Sequence, residues 1–564
     1  MTLIEVSIIT LLVFILLIML GRAFIEIYFY FSKKRYKTIF DIDIVYFFPL
    51  IGLYFIGNLV FLLNYFSPVN NNFTYLILLL ILLGNFINKE KLKMKIEYLI
   101  FVSFTPLVFS FYNNNVSDDA LMYHFGNQKF ILNEKIVFGI SNLFPNYGFN
   151  SLFEYISAIF WVDDTYMYIH MINLLFISAF YYLIFGFYKS NNYLLKNISI
   201  LTLIISFLDN FGFNGGRNGY IFIQEIGKFD ASFGIVFFLS FLFILLISNK
   251  EETNKIEVYF LLNLLLFLSQ LRPTGILLFI PASLILLIKF KKNYFKYIFK
   301  NYIFASISFL WIVKNLINTA CLVYPVSFTC IKILPWHFPN QAKLLSIGVT
   351  ANNRNPNTGY EAYSSFNWIN DYWISYNYDY IYNFLITSAL LLILTYSRKR
   401  GSNKLNLNEL IMIISSVTFL ILWFIYYPNY RFSVGFFLSL YVSLLYKNIK
   451  LEKQIFKKIY LNNLIFFVLL SISLALVVRV DSYFYAIDNL NLDLEDKYTI
   501  PYQSYEKREN SYGYKPSSNY CFDNITCSTS GQEVSLDNYF GYKVFIPKNI
   551  EYNTNKLEKV LINN

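Results

Sequence analysis

The residues best placed to do chemistry stand together in one segment, Ser117-Asp118-Asp119-Ala120-Leu121-Met122-Tyr123-His124. An apolar run over about 96–112 leads straight into it. Two adjacent carboxylates and an imidazole therefore sit where a helix leaves an apolar layer, and acids there are costly unless hydrated, paired or used. Such a carboxylate can act as general base on a hydroxyl, or ligate a divalent cation (Mg or Mn) that neutralises a phosphate. Asp119 and Asp118 are the candidate catalytic residues and the candidate cation ligands, and His124 is the third catalytic candidate. The competing structural role is a cap, with Ser117 or Asp118 closing the start of a helix that begins at Ala120. On that helix Asp119, Tyr123 and His124 project on neighbouring faces. Tyr123 is then a substrate contact, and His124 can orient a phosphate or an acceptor.

A phosphorylated substrate would also need cations on the same side. Lys129, Arg217, Lys228, Arg272, Arg354 and Arg431 all fall in segments that the charge pattern places there. Arg431 lies in a tight turn, Tyr427-Pro428-Asn429-Tyr430-Arg431-Phe432, where it can grip phosphate bidentately or simply anchor at the interface. Arg217 lies in a glycine-rich loop whose N–H groups can wrap phosphate oxygens, or which is a plain turn. Arg272 opens the turn Arg272-Pro273-Thr274, and Asp230 marks a re-entry into the apolar layer. Tyr123, Arg217, Asp230, Arg272 and Arg431 are the candidate substrate-binding residues. The chain carries no Walker or Rossmann fingerprint, which argues against a nucleotide cofactor. It carries no helix-turn-helix, zinc-finger or RNA-binding signature, which argues against a nucleic-acid partner.

The elements that position these residues follow from composition. Hydrophobic residues make up 56% of the 564-residue chain and charged residues only 14%, with a mean hydropathy of +0.47. A soluble protein carries roughly 25% charged residues, so this is an all-α polytopic membrane protein. The 21% aromatic content reflects compositional bias plus interfacial belts rather than stacking sites. The net charge of +11 has a similar origin, because lysines cluster in short loops between apolar runs.

Apolar runs near 3–31, 44–66, 73–88, 96–112, 165–188, 197–209, 230–250, 256–271, 275–289, 301–318, 379–396, 408–427, 431–446 and 459–478 give about fourteen spans. Basic clusters after 32, between 89 and 95, and near 250, 291, 399 and 450 all fall on one side under strict alternation. That places the N-terminus outside a bacterial inner membrane. Residues 1–478 form the membrane domain, with external loops over about 113–164, 210–229 and 319–378, and residues 479–564 form an external (periplasmic) tail. Short helices near 119–134 and 149–162 are expected to lie on the outer membrane surface. Cys521 and Cys527 are close enough in the external tail to close a disulfide loop, and Cys321 and Cys330 can pair likewise.

An acidic motif in the first long external loop, amphipathic loop helices and many spans resemble the GT-C class of membrane glycosyltransferases. In detail the chain resembles a group of bacterial multi-span proteins with GT-C-like features. The matching pieces are 119–124, 141–151, 322–325, 336–339, 430–432 and the Cys521/Cys527 tail. The chain departs from simple GT-C members in having several spans before the acidic loop rather than one. The resemblance implies transfer of a sugar from a polyprenyl-phosphate donor, at the membrane lipid surface, to a periplasmic glycan, lipid or protein acceptor. A polysaccharide polymerase or O-antigen ligase is a second enzymatic reading, and a glycolipid flippase or other transporter a non-enzymatic one.

Overall fold

The computed structural model describes residues 3–69, 116–161, 166–210, 226–378, 406–445 and most of 504–548, with scattered positions over 77–84 and 381–389. It is mostly helical. Among the described residues seven helices are long and apolar enough to cross a membrane: Ile8–Ser32, Ile44–Asn64, Met171–Lys189, Asp230–Asn249, Pro273–Phe290, Tyr302–Thr319 and Leu407–Tyr426. The sequence had suggested about fourteen. The difference has particular causes. The runs near 197–209 and 431–446 hold apolar helices described over Tyr193–Leu203 and Gly435–Leu445, the second ending where the described residues end. The run near 256–271 is a 17-residue helix whose first turn carries Lys255 and the capping residue Glu257. The runs near 96–112 and 459–478 lie outside the described residues, and those near 73–88 and 379–396 fall on them only in part.

The bundle opens with α1 (Leu3–Ser32) and α2 (Phe48–Asn64), joined by a small hairpin of β1 (Thr38–Ile39) and β2 (Ile42–Asp43). The two helices touch through glycine: a Cβ on Gly21 would collide with the Phe48 carbonyl, and one on Gly52 with that of Leu17. Small residues of this kind let helix backbones approach where no water drives association.

After the polar segment come α3 (Phe125–Asn133) and α4 (Leu152–Ala158). The expectation of surface helices fails for α4, because every one of its residues is buried. Leu152 and Ile156 wedge against Gly57 of α2, so the missing side chain there makes room for α4 inside the bundle. Then follow α5 (His170–Lys189), α6 (Tyr193–Asn210), α7 (Asp230–Asn249), α8 (Lys255–Leu271), α9 (Phe279–Phe290) and α10 (Tyr302–Thr319). Helix α7 is central, and every residue from Asp230 to Ile247 is buried. It is apolar around its whole circumference, the pattern of a helix surrounded by other helices.

Helix α11 (Gln341–Arg354) lies in the long loop after α10, and α12 (Leu407–Tyr426) and α13 (Val434–Leu445) complete the described bundle. Leu410, Ile414, Val417 and Ile421 form an exposed apolar stripe down α12, as a lipid-facing surface requires.

The tail adds two antiparallel hairpins, β3 (Tyr505–Lys507) with β4 (Tyr514–Pro516), and β5 (Val534–Tyr539) with β6 (Tyr542–Pro547). Its described residues do not stand apart from the membrane domain. Phe545 and Val534 share an apolar cluster with Phe130, Val137, Ile140 and Leu143. Phe138 donates its N–H to the Lys543 carbonyl at 2.9 Å and accepts one from Phe545 at 2.9 Å. Disulfides join Cys321 to Cys330 and Cys521 to Cys527. Tail, first loop and second loop thus form one cap over one end of the bundle.

Candidate functional site

Beneath that cap, four charged side chains from four separate segments meet. Asp230 begins α7 and is almost wholly buried. The Arg272 guanidinium donates to one of its carboxylate oxygens, and Arg431 Nε lies 3.4 Å from the other. A second Arg431 nitrogen lies 3.8 Å from Asp119 Oδ2. The result is a chain of alternating charge, Asp119–Arg431–Asp230–Arg272, whose buried member holds both cations by opposite charge.

Local sequence sets each position. Arg272 caps α8, and the following Pro273 holds it extended at φ −153°, ψ 134°. Its guanidinium lies over three rings, Phe229 at 5.1 Å, Phe233 at 5.2 Å and Phe432 at 4.8 Å. Each such contact is worth about 0.5–2 kcal/mol and fixes the plane of the fork. Arg431 sits in a single turn, Tyr430–Phe432, capped by the Asn429 side chain. Trp423 donates to the Asn429 carbonyl at 2.8 Å, and Trp373 donates to that of Pro428. Two indoles therefore hold the loop that aims Arg431.

Asp119 opens a π-helical turn over Ala120–His124 that runs into α3. Such turns re-aim side chains and recur at functional sites. The cap here is Ser117, whose hydroxyl accepts the Ala120 N–H at 3.1 Å and donates to the Ile226 carbonyl at 3.0 Å. Asp118 is exposed beside it. Gly227, at φ +90°, lies so close to Ala120 that a Cβ on it would collide with the alanine methyl. This pins the acidic turn to the segment leading into Asp230.

Next to the cluster lies a second, buried pair. His124 Nδ1 is in contact with Glu154 Oε1, and Gln128 Nε2 donates to Glu154 Oε2 at 2.8 Å. Trp161 donates to Gln128 at 2.7 Å. Burial pulls the His124 pKa down, but the Glu154 carboxylate, and more weakly Asp119 and Asp230, raise it above its ordinary 6.5. His124 therefore turns to Glu154 rather than outward to a phosphate. Tyr123 is half-buried, and its phenol pKa is pushed well above 10, by desolvation first and then by Asp119 and Glu154, so it stays protonated.

Six residues singled out in the sequence thus converge: Asp119, Tyr123, His124, Asp230, Arg272 and Arg431. Arg217 lies outside the described residues. Arg354 does not join them. It donates to the carbonyls of Ile425, Ala362 and Tyr363 at 2.6–3.1 Å, so its fork is spent on holding the second loop to the end of α12. Lys129 lies over the Trp161 ring at 5.1 Å. Sequence reasoning missed Glu154, Gln128 and the three rings around Arg272. A lone acid inside the apolar run Leu152-Phe153-Glu154-Tyr155-Ile156 was the available signal for the first.

With this geometry in view, the comparisons place the chain. It belongs to the family described as a domain of unknown function (DUF8201), whose model matches residues 1–438. The DUF8201 match takes in every member of the Asp119–Arg431 cluster and stops short of the tail. No curated protein and no solved structure matches the chain.

Proposed function

We propose that this DUF8201 protein is a GT-C-like glycosyltransferase of a bacterial inner membrane. It would take a sugar from a polyprenyl-phosphate donor at the outer face and pass it to a glycan, lipid or protein acceptor. The observation that carries this reading is the Asp119–Arg431–Asp230–Arg272 chain. Among the described residues neither guanidinium donates a side-chain hydrogen bond to any backbone carbonyl, and Arg272 makes only the one to Asp230. Each guanidinium keeps at least one nitrogen that faces no carboxylate, and these are the donors a phosphate would take.

In the proposed step Arg272 and Arg431 hold the donor phosphate. Asp119, 42% exposed and 3.8 Å from Arg431, stands where an acceptor hydroxyl arrives. Asp119 takes the hydroxyl proton as the acceptor oxygen bonds to the anomeric carbon. The bond from that carbon to the phosphate oxygen breaks, and the phosphate leaves with its electron pair onto the arginines. Attack opposite the leaving group inverts the anomeric centre. Asp118 and Asp119 were the expected ligands of a divalent cation. Asp119 faces a guanidinium, and among the described residues no three acidic, histidine or cysteine side chains gather around a common point. In this reading the guanidinium charge neutralises the phosphate, and Asp118 and Asp119 are the carboxylates that would hold a divalent cation arriving with the substrate.

The test uses purified protein in nanodiscs with undecaprenyl phosphate and radiolabelled polyprenyl-phosphate hexoses. Native mass spectrometry should show undecaprenyl phosphate bound, with loss of binding in Arg272→Gln. Label should appear in a product no longer attached to phosphate. Movement of intact donor across the bilayer without bond cleavage would overturn the enzyme in favour of a transporter.

A further inference from the structure

The β5–β6 hairpin ends in a tip of unusual composition. Its pairing register, Tyr539 opposite Tyr542, leaves Phe540-Gly541 as a two-residue turn. Both residues have positive φ, +52° and +77°. Such turns favour Asn-Gly, because a bulky side chain is strained in the left-handed region. Here the strained position carries phenylalanine, and its ring is fully exposed. Tyr539 beside it is also exposed.

The hairpin reaches from the cap to the end of α2. Its far end, Val534 and Phe545, packs in the cap with Leu143 and Ile140. Its middle pairs with Phe138. Near the tip, Tyr542 donates to the Tyr65 carbonyl at 2.9 Å. Tyr65 is the residue at which the apolar α2 ends, so the tip stands at the level where that helix leaves the hydrocarbon layer. Phe66, 76% exposed, follows Tyr65, their ring centroids 6.5 Å apart. Two cations flank the tip: Lys135, whose amine is 5.3 Å from the Tyr542 ring, and Lys543, which pairs with Glu134 at 2.6 Å.

We infer that the Tyr539–Tyr542 tip, together with Phe66, is a membrane anchor that buries Phe540 in the interfacial layer of a phospholipid bilayer, with Lys135 at headgroup level. Aromatic side chains favour that depth, and each nearby lysine adds attraction to anionic headgroups. An exposed phenylalanine beside the end of an apolar helix is placed to gain burial from lipid. The anchor would hold the tail, and through it the cap over the site, at a fixed height.

The four native cysteines are paired, so Phe540→Cys gives a single labelling site for an environment-sensitive fluorophore. In phosphatidylethanolamine–phosphatidylglycerol nanodiscs its emission should shift to the blue and be quenched by brominated acyl chains. Water-like emission that brominated lipid leaves unchanged would overturn the anchor. A second variant, Phe540→Asn, relieves the backbone strain and so favours folding. If the tip is an anchor, hydrogen exchange across 534–547 should rise in Phe540→Asn in nanodiscs. If exchange there is unchanged or falls, the phenylalanine is only a turn residue and the proposal fails.

Discussion

Helix α7 carries a charged cluster at each end, and the two are built on different principles. At the Asn249 end, Lys250 bonds Glu257 at 2.8 Å and Asp41 at 3.2 Å. Glu257 also accepts the Phe40 N–H at 3.0 Å and the Asn254 N–H at 2.9 Å, closing a capping box on α8. Lys289 donates to the Ile247 carbonyl at 2.7 Å. Glu257 and Lys289 there satisfy backbone groups, some of them left open at helix ends, and Lys250 ties Glu257 to Asp41. At the Asp230 end the charges satisfy one another and lie against aromatic faces, and neither arginine donates its side chain to a backbone carbonyl among the described residues. The first arrangement is what a fold needs. The second has capacity left for a ligand.

Substitutions at the two ends should therefore separate activity from stability. Asp119→Asn keeps the shape of the side chain but removes its basicity, and transfer should fall by about 10²–10⁴ with the melting temperature unchanged. Near wild-type turnover in that variant would end the proposed mechanism. Glu257→Gln at the opposite end should do the reverse. It breaks charged hydrogen bonds to buried donors, costing about 1.5–3 kcal/mol of stability in thermal melts while turnover per folded molecule holds. Arg431→Lys keeps the charge and loses the planar fork, so undecaprenyl phosphate should bind roughly tenfold more weakly, about 1.4 kcal/mol.

The smallest effect concerns His124. Its pKa is raised in the folded protein, so pairing with Glu154 stabilises most below 6.5 and the advantage is lost as pH rises through the raised value. Melting of wild type and Glu154→Gln across that range should show the gap between them narrowing toward alkaline pH. A gap that widened would mean His124 is neutral in the folded state.

Much of the Asp119–Arg431 cluster was legible in the sequence, because each member is a polar residue at the end of an apolar run. Asp119, Asp230, Arg272 and Arg431 all have that signature, and helices that cross one layer must gather their ends on its two faces. Glu154 stands out only as a lone acid in an apolar run, and the short helix that carries it reads as a surface element. Nothing in its own sequence says that Gly57 opens a place for it inside the bundle. Helices α8 and α13 fall on the expected runs near 256–271 and 431–446, while part of the expected span count lies outside the described residues. The partnership of tail and first loop has no local signal at all, since strand pairing leaves only an alternation that any two strands share.

That partnership also has a clock. Asn142 donates to the carbonyl of Phe545, a residue 403 positions later. At about 5–20 residues per second, roughly 20–80 seconds of synthesis separate the two. Over that interval the acidic turn, its histidine and the helices around them are already made, but the strand that closes over them is not. The cap can be completed only after α13 has been delivered to the membrane, which makes closure the last step of assembly rather than the first. An early Asp119 is then a carboxylate waiting for Arg431 and for its cover, and the nascent chain must be kept from misusing either gap.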